Sequence, residues 1–168
     1  VDQVRSILPV GNERYLLGTF GDGIWEMETE PDRGLARSFR RAVPIEGLTD
    51  EWKQVWAMER VDRHLYIGTD GGLLRWDADT ARLERGLIPD GTTAIRQLLH
   101  DPRRQVVWIG SDHGLCRFHP ASGETRCVGT DAGTPGHLRN RSVFALHLDR
   151  AGRLWTGTWS GLYQVDPD

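Results

Sequence analysis

One phrase, a short apolar run closing on glycine and a hydroxyl residue, recurs four times in 168 residues. It reads Tyr15-Leu16-Leu17-Gly18-Thr19, Leu65-Tyr66-Ile67-Gly68-Thr69, Val107-Trp108-Ile109-Gly110-Ser111 and Leu154-Trp155-Thr156-Gly157-Thr158. The glycines lie 50, 42 and 47 residues apart. Self-similarity at such a period means that each copy is one supersecondary unit, unable to bury its apolar face alone. Runs of four to six residues rich in β-branched and aromatic side chains, punctuated by Gly and Asp, read as short strands. No window carries the 3.6-residue apolar stripe of a helix. A content of 20 Gly and 7 Trp agrees with many tight turns around a few large packing residues.

Each unit divides in the same way. A first strand is expected at Val4–Leu8, Val55–Met58, Ile95–Leu99 and Val143–Leu148, and a second at Tyr15–Gly18, Leu65–Gly68, Val107–Gly110 and Leu154–Gly157. A tight link leads to a third strand opening at Gly23, Gly72, Gly114 and Gly161, where glycine permits positive φ at a chain reversal. A fourth strand is expected at Ala36–Arg40, Arg82–Leu87 and Glu124–Gly129. Four antiparallel strands per unit predict an all-β chain, a β-propeller fragment of about four blades whose last blade is incomplete. The units run approximately over 1–48, 49–92, 93–138 and 139–168, forming a single partial domain of a larger propeller. Opening on Val1 in mid-pattern, the chain reads as a piece of a longer one. Trp108, Trp155, Tyr66 and Leu16 share one slot of the second strand and are expected to pack blade on blade.

The fourth unit carries a more specific signature. Val143-Phe144-Ala145-Leu146 leads into Asp149-Arg150-Ala151-Gly152-Arg153-Leu154-Trp155-Thr156-Gly157-Thr158-Trp159-Ser160-Gly161-Leu162. This wording resembles the two-component regulator propeller repeat, and the second and third units follow it well. The first departs by one extra residue in Gly18-Thr19-Phe20-Gly21-Asp22-Gly23. The resemblance implies a propeller of about seven blades. It also implies a place in the periplasmic sensor half of bacterial hybrid histidine kinases or diguanylate cyclases. The motif is structural and brings no catalytic residue set with it.

Charge and composition narrow the partners. A formal net charge of −3, with 21 basic residues scattered among 24 acidic ones, gives no positive stripe for nucleic acid. No apolar run is long enough to span a membrane. The six histidines show no H-x-x-x-H or H-E-x-x-H spacing, so neither a metal nor another cofactor is expected. Neither a G-x-S-x-G elbow nor a phosphate loop is present. The chain is therefore read as non-enzymatic.

In a propeller the links between second and third strands share one face with the inter-blade loops, which is the default binding face. The ligand-binding candidates are Asp22, Asp70, Asp112, His113 and Trp159 from the links, with His137, Arg139 and Arg141 from the long loop before the fourth unit. Glu46, Asp50, Glu51, Trp52 and Asn140 complete the loop set. Asp112-His113 invites comparison with an acid–imidazole pair. Its ordinary reading is an aspartate that caps a turn, as Asp70 does, beside an exposed histidine. The ligand expected is a small molecule, a sugar among the options, or a protein segment. Open blade edges would be covered by the remaining blades of the parent or by a second copy. The leading function is a sensor module that relays an extracytoplasmic signal to an output domain. A protein-interaction scaffold is the alternative, and a propeller lyase or hydrolase, needing converging carboxylates, ranks last.

Cys116 and Cys127 distinguish the third unit. If Pro120–Gly123 forms the hairpin turn, His119 faces Glu124 and Cys116 faces Cys127 across the strands, in position for a disulfide. Two neighbouring free thiols are the alternative. A bridge fits an oxidising compartment such as the periplasm.

Overall fold

A computed structural model describes residues 3–44, 48–88, 94–127 and 142–166. Among the described residues fifteen strands form four antiparallel sheets, with the strands of each hydrogen-bonded in chain order. The first sheet holds β1 (Val4–Gly11), β2 (Arg14–Thr19), β3 (Ile24–Thr29) and β4 (Ala36–Arg41). A single helical turn, α1 (Asp50–Lys53), leads to β5 (Val55–Val61), β6 (His64–Thr69), β7 (Gly72–Asp77) and β8 (Arg82–Arg85). The third sheet is β9 (Ile95–Asp101), β10 (Val106–Ser111), β11 (Gly114–Phe118) and β12 (Thr125–Cys127). The fourth has three strands, β13 (Val143–Leu148), β14 (Leu154–Thr158) and β15 (Gly161–Val165).

The first strands of successive sheets lie side by side, β1 against β5, β5 against β9 and β9 against β13. The sheets therefore radiate from a shared inner edge as the blades of a β-propeller. Period-2 alternation sends neighbouring side chains of one strand to opposite neighbours. Leu65 and Ile67 of β6 face the first blade, joining Ile24, Val55 and Trp76. Tyr66 between them faces the third blade, joining Ile95, Ile109 and Phe118. In the same way Val107 and Ile109 look back to the second blade, while Val106 and Trp108 look forward to Val143 and Leu154. Four blades thus make three cores, one at each joint, which is why no unit could stand alone.

The recurring Gly-Thr phrase has two separate jobs. A Cβ on Gly18 would stand 2.6 Å from Val55 Cγ1, on Gly68 2.5 Å from Ile95 Cγ2, and on Gly110 2.9 Å from Val143 Cγ1. Each glycine is thus the seat into which the first residue of the next blade fits like a knob. The hydroxyl that follows holds the link to the third strand. Thr19, Thr69, Ser111 and Thr158 each donate to the carbonyl of the glycine that opens or precedes that strand, at 2.8–3.2 Å. Each also accepts a backbone N–H from inside the link, of Asp22, Gly71, His113 and Ser160 respectively. The aspartates expected to cap these turns do not; the hydroxyl does, which leaves Asp70 and Asp112 free for other contacts. The glycine at the far side of each link has positive φ, 71°, 115°, 129° and 127° for Gly23, Gly72, Gly114 and Gly161.

The expected fourth strand Arg82–Leu87 is shorter, ending at Arg85 because Gly86 turns away at φ 73°. The loop containing Asp50, Glu51 and Trp52 holds the one-turn α1. Trp52 packs under the second blade's link, where a Cβ on Gly71 would lie 2.6 Å from its ring, so it is a packing residue. Among the described residues no helix is long and apolar enough to cross a membrane.

Candidate functional site

A repeated irregularity builds the site. In every blade the pairing of the first two strands slips by one residue immediately after the knob. Val4 pairs with Thr19 and Ser6 with Gly18; Val55 pairs with Thr69 and Ala57 with Gly68. Ile95 pairs with Ser111 and Gln97 with Gly110; Val143 pairs with Thr158 and Ala145 with Gly157. The residues left over are Arg5, Trp56, Arg96 and Phe144. A bulge of this kind leaves its extra residue outside the ladder and re-aims the side chain. Here it does so four times at the same place, the rim where the links between second and third strands emerge.

These side chains interlock. The Arg96 guanidinium donates from Nε to Asp112 Oδ1 at 3.0 Å and from Nη2 to Asp112 Oδ2 at 2.7 Å. Its Nη1 reaches Asp70 Oδ1 at 3.3 Å, so it ties the third blade's link to the second's. Trp56 Nε1 donates to the same Asp70 oxygen at 2.7 Å, and Arg96 lies 4.2 Å from the Trp56 ring centroid. Hydrogen bonding to Asp112 outweighs partial burial and holds Arg96 above its ordinary pKa. Arg5 stands 5.2 Å from the Trp56 ring and 5.3 Å from that of Phe20. Phe20 meets Trp56 edge to face at 5.9 Å, and Phe144 meets Trp159 edge to face at 4.8 Å. Arg5, Phe20, Trp56, Arg96 and Phe144, with Gln54, Asp70 and Gln97, line an open cleft of about 720 Å³. That is within the range of small-molecule sites, as is the mixture of rings with a few placed polar groups.

Of the residues singled out in the sequence, Asp70, Asp112 and Trp159 stand at this rim. His113 is exposed on the third blade's link, its N–H bonded to Ser111 Oγ. Asp22 is turned to the outer strands of its own blade, accepting from Trp25 Nε1 at 2.9 Å and Arg41 Nη2 at 2.6 Å. The hydrogen bond from Arg41 holds its carboxyl below the usual range, against an opposing effect of burial. His137, Arg139 and Arg141 lie outside the described residues. Arg5, Trp56, Arg96 and Phe144 escaped sequence reasoning, although a signal was present. Each follows directly on the β-branched residue that opens its first strand, in Val4-Arg5, Val55-Trp56, Ile95-Arg96 and Val143-Phe144.

The motif's aspartates are structural. Asp149 accepts from the N–H groups of Ala151 and Arg153, from Arg153 Nε and from Trp155 Nε1. Asp101, 2% exposed, does the same with Arg103, Arg104 and Trp108. This turn, with an indole held by the turn's own carboxylate, is what the Asp-x-x-Gly-x-Leu-Trp wording of the fourth unit specifies. Residues 137–160 match the family model described as two component regulator propeller. That match covers one repeat, in the fourth unit.

Solved propellers agree. The extracellular domain of the hybrid two-component system BT4673 from B. thetaiotaomicron is 26% identical over 99% of this chain, with a TM-score of 0.75. That of BT3049 from the same organism is 19% identical over 98%, with a TM-score of 0.74. PorZ, a surface component of the type-IX secretion system of Porphyromonas gingivalis, shares the fold at 15% identity over 96% and a TM-score of 0.73. This propeller segment spans 21%, 20% and 25% of those chains, respectively. No curated protein sequence matches it.

Asp70 and Asp112, the two carboxylates that meet at the rim, are both tied to Arg96, so neither is disposed as a free general acid or base. Among the described residues no group of three or more His, Cys, Asp or Glu side chains could hold a metal ion.

Proposed function

We propose that the chain is a non-catalytic, ligand-binding segment of the periplasmic sensor propeller of a bacterial signalling protein, and that it feeds a kinase or cyclase output domain. The observation that carries this reading is the rim cleft, in which each of four blades presents one bulged side chain. The likeness to extracellular domains of hybrid two-component systems supports the sensor role. A ligand touching Arg5, Trp56, Arg96 and Phe144 together favours one spacing of the blades over others. Such differential affinity is what a relay requires.

The test is an indole-proton titration of the 15N-labelled chain with a library of sugars and small acids. Ligands should move the Trp56 resonance selectively among the seven indoles, and Trp56→Phe should weaken them tenfold or more. Hits that leave Trp56 unmoved, or survive its replacement, would sink the rim as the binding site. One observation favours docking of a protein segment as a second reading: Trp159 and Leu162, neighbours on the last hairpin, are 77% and 69% exposed.

A further inference from the structure

We propose that the rim cleft takes a monocarboxylate borne on a flat ring, with Arg5 gripping the carboxylate between the walls set by Trp56 and Phe144. The proposal deepens the ligand-binding reading above and rests on it. Its starting point is an inequality between the two rim arginines. Arg96 spends its donors on Asp112 and Asp70, so its charge is compensated and its orientation fixed. Arg5 is exposed and has no carboxylate partner among the described residues. Its guanidinium lies against two rings, Phe20 and Trp56. Stacking holds the fork in place while leaving its N–H edge unused, and that edge matches a carboxylate in a two-point pair.

The other walls define the rest of the ligand. Trp56 and Phe144 offer apolar ring surface, which suits a flat body. Gln54 and Gln97 supply neutral donors and acceptors for a further polar substituent. Asp70 lines the same cleft and Asp112 lies beyond Arg96, so a second negative charge on the ligand meets like charge. A single negative charge is therefore favoured over a dicarboxylate or a phosphate.

The experiment follows the Trp56 indole resonance while the chain is titrated with benzoate and indole-3-carboxylate. The neutral amides of both acids, phthalate and inorganic phosphate are titrated in parallel. The acids should bind saturably, with their amides, phthalate and phosphate at least tenfold weaker. Arg5→Gln should lower acid affinity at least tenfold and abolish the preference for acid over amide, with an unchanged urea midpoint showing that the fold is intact. Arg5→Lys, keeping charge without the fork, should fall between. Equal affinity for acid and amide, or acid binding indifferent to Arg5→Gln, would overturn the carboxylate assignment while leaving ring recognition at the rim standing. If no library member, charged or neutral, moved Trp56, both readings would fall.

Discussion

Gly68 is small because Ile95 needs the space, and this can be measured against an internal control. A methyl group on Gly68 would collide with Ile95 Cγ2 and lie 3.2 Å from its carbonyl oxygen, so the blades must part. Gly68→Ala should cost about 1–3 kcal/mol, the usual range for forcing an extra carbon into a packed core. Gly157 holds the same place in the last blade, and a methyl there meets Ala145 of its own blade, the Cβ at 3.1 Å. Gly157→Ala should change stability by less than about 0.5 kcal/mol, the strand's gain from losing a glycine offsetting a tight contact. Urea denaturation of both variants decides it; equal losses would mean that the glycines serve the strand itself and not the next blade. The knobs tell the same story, since Val55, Ile95 and Val143 are at most 2% exposed and Val4 is 41% exposed.

At the level of the element, the hairpin of β11 and β12 is the most constrained. Cys116 and Cys127 pair directly across it, Cα atoms 3.9 Å apart, and are joined by a disulfide. The bridge fastens a three-residue outer strand whose residues are otherwise largely exposed. Its loop is short, so reduction should cost about 2–3 kcal/mol. Thiol titration of the unfolded chain without reductant should find no free thiol, and two would refute the bridge. The register of this hairpin could be read from the sequence because one turn, Pro120–Gly123, and strict alternation set it. The rim was only half readable. Asp70, Asp112 and Trp159 stand out as exceptions in the links, but Arg96 looks like the polar half of an ordinary alternating strand. The single inserted residue that turns it to the rim has no composition of its own, only a position one step after the knob. The role given to Asp70 and Asp112 as turn caps failed for a related reason: the hydroxyl two residues before the link's end already holds the turn.

For the molecule as a whole, most of the shifted carboxylates move the same way. Burial raises the Asp101 carboxyl, but the Arg104 side chain, the Arg104 backbone N–H and Trp108 more than reverse this, leaving it below the usual range. Trp155, with Arg153, lowers Asp149 against burial, and burial of Asp77 is outweighed by the turn N–H groups of Thr80 and Asp79 together with Arg63. A carboxylate depressed in the folded state stabilises fully above its unfolded pKa, about 4, and loses that contribution as pH falls toward the folded value. Glu59 runs the other way, raised by burial, and gains from protonation as pH falls. With several groups against one, the urea midpoint should hold level from pH 7 to about 5 and drop steeply below 4. A midpoint that rose in acid would contradict the turn aspartates' role as anchors. The repeated bulge carries a consequence of a different kind. Because the knob fills the apolar joint with the neighbouring blade, the residue after it is left to the rim, and Arg, Trp, Arg and Phe occupy it in turn. On the binding reading proposed above, each blade contributes one letter to a recognition code written outside the three apolar joints, the Arg96 letter fixed by its ties to Asp70 and Asp112 and the Arg5 letter open to rewriting.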